Sequence, residues 1–315
     1  MQSLPLIAVT ELAHADPARR HAAAAQLGRA SREVGFFLVA EHSVPRAAID
    51  AAFADARAFF AQPLADKQQL SIKRSPHNRG YVAMADERLD PKAGFDRKEA
   101  FNLGLELDAN DPDIVAGAPF RGLNFWPTAL PGWRERMLGY FDHCLELGRL
   151  IHRGFAIDLG LDEEFFAPHL TAPIATLRLL HYPAAIQAGR HDAGAGEHTD
   201  YGDLTLLATD GVPGLEVRTR DGEWLEGPSI PGTYVCNIGD CLMRWSNDIY
   251  LSTPHRVRAP TQERYSIAFF MEPNPETLID PRQIAPDQAP RYAPVHCADY
   301  LKQRLDATYQ HRAGA

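Results

Sequence analysis

From Ala175 onward the chain contains short segments rich in β-forming residues, spaced about 8–12 residues apart. Pairs of turn-forming residues separate them, at Asp210-Gly211, Asp221-Gly222 and Gly239-Asp240, and a further turn is expected at Gly194–Gly196. This rhythm predicts a sandwich or barrel of antiparallel strands. A chain of 315 residues is long enough to bury a large core inside such a structure.

The rest of the chain predicts helices that support this β-rich part. Apolar residues recur with helical spacing over 16–34, 46–60, 64–70, 131–159 and 297–309. Pro, Gly, Asn and Asp are frequent over 73–130, which predicts long ordered loops there. We therefore expect four regions: an N-terminal region of helices, strands and loops over 1–120, a supporting helix within 121–172, an antiparallel sandwich or barrel over 173–275 and a C-terminal helical tail over 276–315.

Two histidines and one aspartate in the β-rich part have the spacing of a metal site. Residues i and i+2 of a strand point to the same face, so His198 and Asp200 would converge from one strand. His255 lies on a later predicted strand that could run alongside. Two imidazoles and one carboxylate are the ligands of non-haem Fe(II) oxygenases, which keep positions open for chemistry. We predict that these three residues bind a metal and form the catalytic centre.

A second His-x-Asp pair, His14 and Asp16, has a different context. Asp16 precedes Pro17 and a run rich in Ala and Arg. This order predicts a helix N-cap followed by Pro at the first helical position. We therefore do not expect His14 to bind a metal.

Arg264 and Ser266 repeat the i, i+2 spacing on the strand after His255. Residues 258–262 indicate a hairpin connection that would bring this strand near the metal. The forked guanidinium of Arg264 matches a carboxylate in two-pronged geometry, and the Ser266 hydroxyl can add a hydrogen bond. The pair could hold the far carboxylate of an organic diacid. Phe270 shares their inward parity and is a candidate pocket wall, with core packing as the alternative.

Together these motifs resemble the isopenicillin N synthase-like family of 2-oxoglutarate/Fe(II)-dependent dioxygenases. The resemblance rests on residues 34–45, 59–63, 79–81, 96–101, 198–207 and 239–257. It extends from about Leu4 to Pro273. It implies a mixed α+β fold with a mainly β core, namely a double-stranded β-helix (a jelly-roll, cupin-like barrel) with supporting N-terminal helices.

The resemblance implies Fe(II) as the metal, 2-oxoglutarate as co-substrate and O2 as oxidant. A small organic molecule would be hydroxylated, desaturated or cyclised, with release of succinate and CO2. Arg264 and Ser266 would bind the distal carboxylate of 2-oxoglutarate. Tyr182 would reach a bound carboxylate, or else fill the barrel as a structural aromatic residue. Many relatives carry Asn where this chain has Leu180, so a polar contact to the iron-bound end of the co-substrate is missing.

Four further residues are candidate substrate contacts. Arg97, Lys98 and Phe101 belong to the family-like 96–101 segment, in a region that covers the mouth of the barrel in relatives. Arg178 lies on the strand before the metal strand and could pair with an acid inside the barrel. For Lys98 and both arginines a solvated surface position is the alternative.

Two other functions remain open at this point. The first is an Fe(II) oxidase of the same family that does not use 2-oxoglutarate. The second belongs to a different class, either a Zn hydrolase or an inactive small-molecule-binding barrel. A hydrolase would need a general base near the metal, and no motif places one.

Charge and composition limit the partners. A net charge of −9 makes nucleic acid an improbable partner, and no stretch has the roughly 18 apolar residues of a membrane helix. The sequence begins without a basic, apolar secretory signal, and its four cysteines form no C-x-x-C pair. We expect a cytoplasmic protein with reduced thiols, a small-molecule substrate and a monomeric or weakly homo-oligomeric state.

Overall fold

The computed structural model describes residues 3–84, 86–87, 96–184 and 193–308. Its strands are β1 (Leu6–Ala8), β2 (Phe36–Ala40), β3 (Gly80–Val82), β4 (Glu99–Gly104), β5 (Ile174–Tyr182), β6 (Ala193–His198), β7 (Leu204–Thr209), β8 (Leu215–Arg218), β9 (Trp224–Glu226), β10 (Tyr234–Ile238), β11 (His255–Arg258), β12 (Arg264–Glu272), β13 (Leu278–Ile279) and β14 (Val295–His296). Its α-helices are α1 (Pro17–Glu33), α2 (Arg46–Phe60), α3 (Leu64–Gln69), α4 (Pro112–Val115), α5 (Trp133–Asp158), α6 (Asp240–Trp245) and α7 (Cys297–Thr308).

Two sheets form the β core. The main sheet has the strand order β1-β2-β10-β7-β12-β5-β4-β3, and the smaller sheet has the order β6-β11-β8-β9. Neighbouring strands are antiparallel, except for the parallel pair β1 and β2. Apolar residues of both sheets pack on each other in the interior, among them Leu180, Ala195, Val257 and Ala268. This arrangement confirms the predicted mixed α+β fold with an antiparallel β core.

Strand alternation gives the main sheet an outer face and an inner face. On β12, Phe269 and Met271 belong to the large outer core, whereas Arg264, Ser266 and Phe270 have the opposite parity. Helix α5 packs against the outer face. A Cβ on Gly148 would lie 2.3 Å from the Met271 sulfur, so glycine lets this helix approach the sheet. The inner face remains for the functional site.

Helix α1 begins as predicted. The Asp16 carboxylate accepts a hydrogen bond of 2.9 Å from the Ala18 amide, and Pro17 is the first helical residue. The His14 ring accepts from the Asp16 amide. The second His-x-Asp pair therefore forms a helix cap, and His14 is no metal ligand.

The structure corrects three expectations. Residues 73–130 are not loops alone, because β3 and β4 lie within them and extend the main sheet beside β5. Segment 258–262 is not a hairpin, because β11 pairs in the smaller sheet and β12 in the main sheet. The turn expected at Gly194–Gly196 is part of β6. Short strands rich in Gly or Asn carry little β propensity, which explains the first and third errors.

The C-terminal helix was expected to reach residue 309, which lies outside the described residues; α7 ends at Thr308 as described. Strands on both sides of residues 120 and 172 belong to the main sheet, so the predicted boundaries at these two residues do not separate two sheets. The bounds of the four predicted regions stay predictions.

No helix in the described ranges is long and apolar enough to cross a membrane.

Candidate active site

The structure brings His198, Asp200 and His255 together. His198 ends β6 and lies opposite His255, the first residue of β11. Asp200 follows two residues after His198. Its Oδ1 atom is 3.9 Å from His198 Nε2 and 3.7 Å from His255 Nε2. One ligand atom from each residue lies within 4.8 Å of the others, so all three can reach one ion.

Backbone carbonyls orient the two imidazoles. His198 Nδ1 is 2.7 Å from the Gly196 oxygen, and His255 Nδ1 is 3.1 Å from the Thr253 oxygen. Because a carbonyl oxygen only accepts, each Nδ1 carries the proton and donates it. Each Nε2 is left with a lone pair that faces the centre of the site. Such a second partner is the usual support of a metal-binding histidine.

Two side chains fix the Asp200 carboxylate. Thr205 Oγ1 donates a 2.6 Å hydrogen bond to Asp200 Oδ2, and Asn237 Nδ2 donates one of 2.8 Å. Oδ1 is left to face the imidazoles. The sequence analysis assigned neither Asn237 nor Thr205 to the site. Their inward parity on β10 and β7 was the signal that could have identified them.

The site favours the charge state that a metal requires. Burial, followed by the neighbouring His255, lowers the pKa of His198 to about 3. Burial raises the pKa of Asp200, but the two imidazoles and the bonds from Thr205 and Asn237 outweigh it, so this pKa falls below its usual value. Neutral imidazoles and an ionised carboxylate are the protonation states that bind metal ions. Two nitrogens and one oxygen, with the remaining positions open, fit Fe(II).

Arg264 lies elsewhere on the inner face and is a buried cation, with a relative exposure of 1%. Its Nε donates to the Val212 oxygen at 3.2 Å and its Nη1 to Ser266 Oγ at 3.3 Å. The Tyr182 ring, opposite it on β5, lies 4.9 Å from its Cζ. Among the described residues, no Asp or Glu forms an ion pair with this guanidinium. A buried charge without a counterion is costly, so the pocket is suited to an anionic ligand.

Apolar side chains line part of the cavity that contains the metal centre. Leu180, Val257 and Ala268 form one buried cluster, against which Leu207 packs. Leu180 occupies the position where an Asn would offer a hydrogen bond, and it lines the cavity. At the place where the polar contact was expected to be missing, the cavity therefore has an apolar surface.

The remaining predicted residues divide into two groups. Tyr182, Phe270 and Arg178 line the cavity, and Arg178 forms an ion pair with Glu87. Phe101 does not line it, because odd-numbered residues of β4 face the outer core. Its ring is 4.5 Å from that of Phe59 in that core, so the expectation that it contacts substrate is wrong.

Arg97 is solvent-exposed and is not among the described residues that line the cavity, so this expectation is wrong as well. Its neighbour Lys98, which was also a candidate contact, is buried and lines the cavity, together with Asn102 on β4. Sequence reasoning missed Asn102 because the 96–101 segment was not recognised as leading into a strand. Leu301 and Leu305 of α7 also line the cavity, which the linear sequence does not indicate.

Comparisons with known proteins agree with this geometry. The family model described as non-haem dioxygenase in morphine synthesis N-terminal matches residues 4–129. The family model described as 2OG-Fe(II) oxygenase superfamily matches residues 173–273 and so includes the whole triad, Arg264 and Ser266.

The chain is 34% identical to the 2-oxoglutarate-Fe(II) type oxidoreductase hxnY of Emericella nidulans, over 87% of this chain and 81% of the relative. It is 35% identical to homoarginine-6-hydroxylase 2-ODD-C23 of Glycine max, over 81% and 79%. A full-length Neurospora crassa protein, crystallised in complex with alpha-KG, superimposes with a TM-score of 0.84, at 31% identity and 96% coverage of both chains. That protein has also been solved with alpha-KG and thymine.

Proposed function

This chain belongs to the 2OG-Fe(II) oxygenase superfamily, and from that membership we propose which of its residues bind the metal, the co-substrate and the substrate. The protein is a 2-oxoglutarate/Fe(II)-dependent oxidoreductase that oxidises a small organic molecule. Of the functions left open by the sequence, membership supports neither a Zn hydrolase nor an inactive barrel. The assignment of roles to individual residues follows from the contacts described above.

We assign Fe(II) to His198, Asp200 and His255. The supporting contacts fix all three ligands before a metal arrives, because Gly196 and Thr253 hold the rings and Thr205 and Asn237 hold the carboxylate. Such preorganisation reduces the cost of assembling the site.

We assign the distal carboxylate of 2-oxoglutarate to Arg264 and Ser266, with Tyr182 at its side. The carboxylate would supply the counterion that Arg264 lacks among the described residues. The Ser266 hydroxyl accepts from Arg264 and can turn its own proton to the ligand. The Tyr182 ring covers the guanidinium, which keeps water from this pocket.

The bound iron, together with 2-oxoglutarate and O2, supplies the oxidation, in which the co-substrate is converted to succinate and CO2. The protein residues orient the reactants and exclude competing reactions. Leu180, Leu207 and Val257 surround the cavity with apolar surface and keep it dry. We place the substrate against Phe270 and Arg178, at the other end of β12 and β5 from Arg264. Hydroxylation, desaturation and cyclisation all remain compatible with this arrangement.

One observation carries these assignments: a convergent His, Asp and His set lies in a cavity lined by Tyr182, and the Tyr182 ring packs on a buried arginine that has no carboxylate partner among the described residues. The test is a succinate-release assay in air with Fe(II), 2-oxoglutarate and a panel of small metabolites. We expect release of succinate coupled to O2 uptake, and none above background from Asp200→Ala. Oxygen uptake without succinate would instead favour the Fe(II) oxidase.

The expected oligomeric state, a monomer or weak homo-oligomer, stays a prediction for light scattering. The expected cytoplasmic location also stays a prediction.

A further inference from the structure

Asn102 lies on the wall of the cavity formed by β4, at the substrate end. Its side chain is fully buried, with a relative exposure of 0%, and it lines the cavity. Neither its Nδ2 nor its Oδ1 has a hydrogen-bond partner among the described residues. Asn78, just before β3, also lines the cavity, and its Oδ1 is buried and without a partner in the same part of the chain.

The buried carboxamide of Asn274, by contrast, is fully hydrogen-bonded. Asn274 Nδ2 donates to the Pro168 oxygen at 3.1 Å and to Thr171 Oγ1 at 2.9 Å, and its Oδ1 accepts from the Ala172 amide at 2.9 Å. Folded proteins rarely leave buried polar atoms unpaired, because burial strips them of water without compensation. An unpaired donor and acceptor on one cavity-lining group therefore point to a ligand that pairs with them.

The two unpaired atoms of Asn102 define what that ligand must offer. A carboxamide presents a donor and an acceptor side by side in one plane. The complement is an N–H beside a C=O in a cis arrangement, as in a lactam or an imide. A carboxylate has no donor and a ketone has none, so each would leave Oδ1 unpaired. The Asn78 oxygen provides a further acceptor for a second N–H.

The charges around this end are already balanced. Arg178 pairs with Glu87, and Lys98 lies 2.6 Å from Asp96 and 3.6 Å from Glu87. Glu272 also lines the cavity; burial, with nearby Asp203 and Asp200, raises its pKa well above the usual range, which favours its neutral form. A charged ligand would disturb these pairs or remain without a counterion. An uncharged ligand is favoured.

The remaining walls suit a flat ring. Phe270 is half-buried and lines the cavity, and Phe120, Leu301 and Leu305 add apolar surface. An aromatic side chain of this kind packs well on a planar ligand.

We propose that the prime substrate is an uncharged cyclic amide, a lactam or an imide, that Asn102 recognises by a two-point hydrogen bond. This proposal rests on the proposed function for the place of the substrate, and it makes Asn102 a residue that determines specificity.

The test is equilibrium binding to the Fe(II)-loaded protein with 2-oxoglutarate under argon, where no turnover occurs. The probes are 2-piperidone and cyclohexanone, which share ring size and carbonyl and differ by one N–H. We expect 2-piperidone to bind at least about 10-fold more tightly, because the N–H pairs with Asn102 Oδ1. Equal affinity for the two probes would overturn the proposal without any variant.

Two substitutions at residue 102 should change the affinities for the probes in different ways. Asn102→Leu should remove the preference for 2-piperidone, because the affinity for 2-piperidone should fall more than the affinity for cyclohexanone. Asn102→Asp can only accept hydrogen bonds, so it should lose 2-piperidone and gain the cationic donor 2-aminopyridinium. The matched control, Asn274→Leu, should keep the wild-type preference because Asn274 is not among the described residues that line the cavity. If Asn102→Leu keeps the preference, the proposal is wrong.

Binding of 2-oxoglutarate, followed by its visible absorption on the iron, is recorded in the same samples. If the co-substrate binds and the probes are not distinguished, the substrate class is wrong and the proposed function stands. If the wild-type protein does not bind 2-oxoglutarate, the proposed function itself fails.

Discussion

The two ends of the inner face of the main sheet differ in what their protein groups lack. At the Arg264 end the guanidinium and the Ser266 hydroxyl are hydrogen-bonded, and the missing partner is a negative charge. At the Asn102 end the charges of Arg178 and Lys98 are paired, and the missing partners are one donor and one acceptor. One end therefore requires an anion and the other a neutral polar molecule. The metal ligands His198 and His255 lie on strands of the smaller sheet.

The largest effect is expected from removing the positive charge at the Arg264 end. Arg264→Leu would leave the distal carboxylate buried without a counterion, which costs about 2–5 kcal/mol. We expect the KM for 2-oxoglutarate to rise at least about 30-fold, since ~1.4 kcal/mol corresponds to a factor of ten. Succinate release at varied 2-oxoglutarate measures it. Asn102→Leu, at the other end, should leave this KM within about twofold; equal effects of the two variants would abolish the distinction.

The second test concerns the two side chains that hold the metal ligand Asp200 in place. Asn237→Leu removes a hydrogen bond that holds Asp200 Oδ2. Loss of such a supporting partner typically weakens metal affinity about 10- to 100-fold. Titration of the apoprotein with Fe(II) under argon measures this change, and Thr205→Val should act in the same direction. An unchanged affinity for Fe(II) in both variants would show that Asp200 binds the metal without help from these hydrogen bonds.

Much of this arrangement was predictable from the sequence. The i, i+2 spacing of Arg264 with Ser266 is a local property of strand β12, so the sequence carries it. His198 and Asp200 were expected on one strand, but β6 ends at His198 and Asp200 lies two residues beyond it. Which sheet each strand joins depends on pairing between distant segments, so the place of β11 and β12 in different sheets was missed. The parity of Phe101 was missed for the same reason, because β4 was not recognised as a strand.

Asn102 and Asn237 illustrate a second limit. A carboxamide in a sequence has the same appearance whether its partners are protein atoms or a ligand. Only the folded structure shows that Asn237 donates to Asp200 while Asn102 has no partner among the described residues. Sequence patterns therefore identified the co-substrate end, which has a shared motif, and at the substrate end they indicated Phe270 and Arg178 but not Asn102.

The third test compares stability at two buried carboxamides. Asn274→Leu loses three hydrogen bonds and leaves their partners unpaired, so we expect a free energy of unfolding lower by about 1–3 kcal/mol. Asn102→Leu removes two unpaired groups, so the ligand-free protein should keep its melting temperature or gain in it. Thermal unfolding by calorimetry distinguishes the two. A comparable loss in both would mean that Asn102 is paired in the free protein.

The smallest expected effect is at Leu180, on the wall between the two ends. Leu180→Asn would add a hydrogen-bonding group beside the iron-bound end of the co-substrate. A net hydrogen bond of about 0.5–1.5 kcal/mol should lower the KM for 2-oxoglutarate by roughly threefold. A rise in KM would show that burying the amide in this apolar cluster costs more than the new bond contributes.

The central claim is that His198, Asp200 and His255 hold Fe(II) where 2-oxoglutarate can chelate it. The most direct measurement is the visible spectrum of the Fe(II) protein under argon, with and without saturating 2-oxoglutarate. We predict a weak metal-to-ligand charge-transfer band that appears only when Fe(II) and 2-oxoglutarate are both present and that is absent from His255→Ala. A wild-type spectrum without this band, or a band that persists unchanged in His255→Ala, would contradict it.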